Sequence, residues 1–103
     1  MLSKILSQDI YNSISKLNFN QLNEIRMRVG QPVIVYIGGQ TYYLFEKGLT
    51  GDESKAFVCT KQQIEDVIFN ASGNSIYSVN EQLKKGFLII DGGIRIGLCG
   101  NVV

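Results

Sequence analysis

Across residues 18–24 the apolar spacing of this chain changes from steps of three and four to steps of two. That switch commits it to a mixture of helix and sheet. Before it, Leu2, Ile5, Leu6, Ile10, Ile14 and Leu17 mark one face of a helix. Asn18 and Asn20 in "NFNQ" suit a helix end, with Leu22 closing a short turn. From Glu24, Ile25, Met27 and Val29 alternate with Glu24, Arg26 and Arg28, the pattern of a half-buried strand. "GQP" then breaks the element, because Pro32 has no N–H to give a central ladder.

The remainder extends the same plan. "VIVYI" reads as a buried strand, Gly38-Gly39 as a two-residue hairpin turn, and "QTYYLF" as the antiparallel return. "EKGLTGDESKAF" carries turn residues and charge and is expected to be a mobile loop. Thr60 with Gln63 forms a capping box. It opens a helix whose stripe is Ile64, Val67, Ile68 and Ala71, with Gly73 as its stop. Ser75 is expected to cap a further helix through Ile76, Val79 and Leu83. "FLIIDGGIRIGLCGNVV" is expected to be a second hairpin turning at Asp91–Gly93. The expected fold is α+β, a mainly antiparallel sheet flanked by helices, in one domain over residues 1–103. The chain stops on an apolar run, so it is expected to be a piece of a longer protein.

Composition excludes several function classes. With 103 residues and 45% apolar content the chain can build a core. A net charge of +1 argues against a generic nucleic-acid or membrane-surface binder. The absence of histidine removes His-based catalysis and mixed Cys/His zinc sites. Cys59 and Cys99 are far apart among apolar neighbours and are expected to be buried thiols, with no metal site. The N-terminus lacks the apolar core of a signal peptide, and no apolar run is long enough for a membrane span, so a cytoplasmic domain is expected.

No Walker A and no Rossmann glycine pattern is present, so no catalytic residue is assigned in this chain. "GLTG" and "GLCG" match the bare G-x-x-G of KH domains, a spacing common by chance. Glu65 and Asp66 are neighbours on a helix and point about 100° apart, a solvated face rather than a catalytic pair. Arg95 stands between Ile94 and Ile96, on a segment holding Gly92, Gly93, Gly97 and Gly100. Glycines admit a close backbone or ligand approach, and an arginine there can fork onto a phosphate or carboxylate. The other reading of Arg95 is an ordinary surface arginine on a strand.

Two stretches, "LNEIRMRVGQPVIVYIGG" and "SIYSVNEQLKKGFLIIDGGIRIGLCGNVV", closely resemble the N-terminal part of the stage III sporulation protein AA family. The resemblance is carried by Glu24, Ile25, Arg26, Arg28, Gly30 and Pro32, by Ser75, Tyr77, Leu83, Gly86 and Phe87, and by Gly92, Gly93, Arg95, Gly97, Leu98 and Gly100. Ile94 departs from it, standing where the family usually has histidine. The resemblance implies a P-loop ATPase related to type II and type IV secretion ATPases, with its catalytic domain C-terminal to this chain. It implies ATP and Mg²⁺ in the whole protein, none in this piece, and a PAS-like N-terminal domain that packs in a homo-oligomeric ring, expected to be a hexamer. Implied partners are the chain's own ATPase domain, neighbouring subunits and membrane channel proteins on the mother-cell side of the forespore channel, with no nucleic acid. It makes Arg95, then Arg26 and Arg28, the residues expected to meet nucleotide. The rival function is a stand-alone module binding nucleic acid or a peptide strand.

Overall fold

The computed structural model describes residues 2–72, 84–90 and 94–99. It is α+β, built on a six-stranded sheet of order β4-β3-β2-β1-β6-β5. The strands are β1 (Leu22–Arg28), β2 (Ile34–Ile37), β3 (Gln40–Phe45), β4 (Gly48–Thr50), β5 (Phe87–Ile90) and β6 (Ile94–Cys99). Every neighbouring pair is antiparallel except β1 with β6, the fourth and fifth strands of that order, which run parallel.

The N-terminal helical face is divided, against the single helix its spacing suggests. Leu2–Ile5 (α1) and Gln8–Ile14 (α2) are separate, with Ser7 extended at the N-cap of α2. The Ser7 hydroxyl makes no cap hydrogen bond and is buried without a partner among the described residues, so side-chain capping does not account for the break. The apolar stripe survives the break, for Ile5, Leu6, Ile10 and Ile14 are all buried. Leu22 likewise opens β1 rather than closing a turn, after a 3-10 turn at Phe19–Gln21. Val29 is exposed instead of continuing the apolar face, since β1 ends at Arg28 and Gly30 turns the chain at φ 76°.

The central hairpin forms as expected. Gly38 and Gly39 hold φ 55° and 81°, and Val35 pairs with Tyr42 across the turn. The following segment is not a loop throughout. Gly48–Thr50 adds β4 to β3 with Leu49 opposite Leu44, and Asp52 caps a 3-10 turn at Glu53–Lys55. One leucine between a glycine and a threonine is too short a run to show strand periodicity. Gly48, at φ 125°, makes the tight turn possible.

In the helix at Lys61–Ser72 (α3) the capping box closes in both directions. Gln63 N–H donates to the Thr60 hydroxyl at 3.1 Å, and Thr60 N–H donates to the Gln63 side chain at 2.9 Å. The expected helix over Ser75–Leu83 and the turn at Asp91–Gly93 lie outside the described residues, as does the Gly73 stop. No helix among the described residues is long and apolar enough to cross a membrane.

The three described helices pack on one face of the sheet. Ile10, Ile14, Ile64 and Val67 from the helices share one cluster with Ile25, Met27, Val35, Leu44, Leu88 and Ile96 from the strands. Cys59 lies in this cluster, its thiol donating to the Thr60 carbonyl at 3.6 Å, while the Cys99 side chain falls outside the described parts. Burial raises the Cys59 pKa from 9.0 to about 11. The folded chain therefore holds this proton more tightly than the unfolded one. The associated stability is complete below pH 9 and declines as pH rises toward 11. At neutral pH a thiol-reactive dye should label Cys59 only at the rate of unfolding. Rapid labelling of native Cys59, read in a Cys99→Ser variant so that the second thiol does not contribute, would contradict that.

Candidate functional site

The sheet face away from the core holds the sequence's three named arginines on neighbouring strands. Alternation along β1 sends Ile25 and Met27 into the core and leaves Glu24, Arg26 and Arg28 on the opposite face. The parallel register then sets Glu24 beside Arg95, Arg26 beside Gly97 and Arg28 beside Cys99.

Glu24 is the hub of this face. One carboxylate oxygen, Oε2, accepts from Arg26, at 3.2 Å from Nε and 3.1 Å from a terminal guanidinium nitrogen. The other, Oε1, accepts from Arg95 at 3.1 Å. The exposures rank the three groups: the Glu24 side chain is 11% exposed, Arg26 32% and Arg95 52%. The acid is thus the sunken member, and both guanidiniums reach outward from it. Each also lies over an aromatic ring, Arg26 at 4.9 Å from the Tyr36 centroid and Arg95 at 5.0 Å from that of Phe87. Tyr36 sits on β2 and Phe87 on β5, so the row of ring, cation, acid, cation, ring crosses four strands.

Gly97 gives this row room. A Cβ there would stand 3.1 Å from Glu24 Oε2. The close approach expected of this glycine is therefore made by the chain's own carboxylate. Gly92, Gly93 and Gly100 lie outside the described residues. Arg28 is exposed and has no ion-pair partner among the described residues.

Sequence reasoning named the arginines as candidates, and Glu24 only as a residue carrying the resemblance, not as the acid that joins them. The signal was present in part: an acid and an arginine two apart in a strand share a face. The Arg95 contact is 71 residues away in sequence and depends on which strands become neighbours. Chemically, an arginine carries five N–H donors. Arg26 directs two of its nitrogens to Glu24 and Arg95 one, so both retain N–H groups able to meet a phosphate or carboxylate.

The family model for sporulation stage III, protein AA, matches residues 1–103. The chain belongs to the stage III sporulation protein AA family. It is 30% identical over 105 residues to stage III sporulation protein AA of Bacillus subtilis (strain 168), an alignment covering 99% of this chain and 31% of that relative. No solved structure matches. Membership supports a role in sporulation.

Proposed function

We propose that this chain is the regulatory and oligomerising N-terminal domain of a sporulation ATPase of the secretion type, lending arginines to an ATP site between domains. The observation that carries the reading is the pair Arg26 and Arg95, presented together on a sheet face that no described helix covers. Fixed guanidiniums offset charge that develops on a transferring γ-phosphoryl group. Membership of the family, and a chain spanning only 31% of its relative, agree with a catalytic P-loop domain supplied by the rest of the protein.

On this reading ATP and Mg²⁺ belong to the whole protein, and the arginine-bearing sheet face meets its own ATPase domain or a neighbouring subunit. A PAS-like domain of this kind packs in a ring, a hexamer by analogy with secretion ATPases. The ring works in the mother-cell cytoplasm against membrane channel proteins at the forespore. The full-length protein should hydrolyse ATP, and the 103-residue chain alone should not, because it has no phosphate-cradling loop. Steady-state phosphate release from both, purified in parallel, tests this. A full-length protein that neither binds nor hydrolyses ATP would end the proposal.

A further inference from the structure

We propose that Glu24 is the positioning residue of the arginine pair, its carboxylate fixing both guanidiniums in the geometry that the phosphate of an incoming nucleotide requires. This rests on the reading of that face as the phosphate-contacting one.

The two carboxylate oxygens are divided between the two arginines, Oε2 to Arg26 and Oε1 to Arg95. No other described acid pairs with either arginine. A free arginine side chain carries about 2 kcal/mol of rotamer entropy, so an unbraced pair would sample many forks. Tyr36 and Phe87 limit the guanidiniums from outside, while Glu24 tethers both from between. The backbone is arranged around this tether. Parallel pairing of β1 with β6 sets Glu24 beside Arg95, and Gly97 leaves Oε2 uncrowded where a Cβ would stand 3.1 Å from it.

Charge separates positioning from simple binding. Glu24 cancels one of two positive charges, so the cluster carries a net charge of +1 in its present form. Glu24→Gln removes the negative charge without shortening the side chain. The cluster then attracts an anion at least as strongly, but its forks are no longer tethered. A positioning role therefore predicts a split: kcat falls while KM for ATP stays level or drops. Misplacement by about 1 Å can cost about 10²-fold in rate, and a loss of roughly 10- to 100-fold in kcat is expected. An acid that served only to hold the sheet together would instead lower the melting temperature, with kcat falling and KM rising in step.

The experiment is steady-state ATP hydrolysis by the full-length protein carrying Glu24→Gln, Gly97→Ala or Arg95→Ala, with melting recorded for each. Gly97→Ala keeps all three charged groups and displaces the carboxylate, so it reports even if Glu24→Gln fails to fold. It should lower kcat by less than Glu24→Gln does, with KM unchanged, because a Cβ 3.1 Å from Oε2 asks the carboxylate to give by only a few tenths of an ångström. Wild-type kcat in Glu24→Gln and Gly97→Ala, alongside a slow Arg95→Ala, overturns the role of Glu24 and leaves the arginine reading standing. Wild-type turnover in Arg95→Ala removes that reading and this inference with it. A raised KM with lowered melting in both Glu24→Gln and Gly97→Ala assigns Glu24 to the fold alone.

Discussion

Replacing Arg95 by alanine in the full-length protein is expected to lower ATP turnover by about 10- to 1,000-fold, with the roughly 10³–10⁵-fold effect of arginine fingers as an upper guide. ATP binding should fall less, because a P-loop supplies most ground-state phosphate contacts. Arg95→Lys should recover little. An ammonium is a point charge that cannot both keep the Glu24 contact and present a planar fork. Stability should fall by at most about 1–2 kcal/mol in either variant. Arg95 is half exposed, and an ion pair of that kind contributes at most about 1 kcal/mol, its ring contact about 0.5–1 kcal/mol. Melting of the chain and turnover of the full-length protein therefore read different things. Wild-type turnover with unchanged melting would make Arg95 an ordinary surface residue.

The arginine face was half legible in the sequence, and the limit has a physical cause. Period-two alternation fixes which face a side chain takes, so the spacing of Arg26 and Arg28 is enough to put them on one side of a strand. Alternation does not say which strand lies alongside. Glu24 meets Arg95 only because β6 inserts beside β1 in parallel, a pairing that joins distant parts of the chain through contacts of no local signature. Turn and cap chemistry was legible for the opposite reason. Gly38-Gly39 and the Thr60–Gln63 box are local, and each names its own hydrogen bonds. The break between α1 and α2 was hidden, since an apolar stripe at steps of three and four runs unaltered through Ser7. β4 was hidden because three residues starting at a glycine carry too little pattern to register.

The largest stability loss is expected from Ile25→Ala. Ile25 is fully buried, with Val35 of β2 on one side and Ile96 of β6 on the other, so it ties the antiparallel hairpin strands to β6 across the parallel pairing. Truncating a buried isoleucine to alanine costs about 2–5 kcal/mol, the transfer of the lost methyl groups plus the cavity left behind. A domain of this size has only about 5–15 kcal/mol in total. At about 4–8 °C per kcal/mol, melting should fall by roughly 10 °C or more, and Ile25→Val by only a few degrees. The residues on either side of Ile25 are Glu24 and Arg26, so the same strand that anchors the core also aims the arginine pair. Below its lowered melting temperature the Ile25→Ala variant should keep the Arg26–Glu24–Arg95 row, because the strand's hydrogen bonds and alternation are untouched. Its turnover in the full-length protein should then stay near wild type at low temperature and collapse on heating, whereas Glu24→Gln is impaired at every temperature. Calorimetry with turnover measured across temperature checks both. A melting change equivalent to less than about 1 kcal/mol would mean that Ile25 is not packed as a core residue.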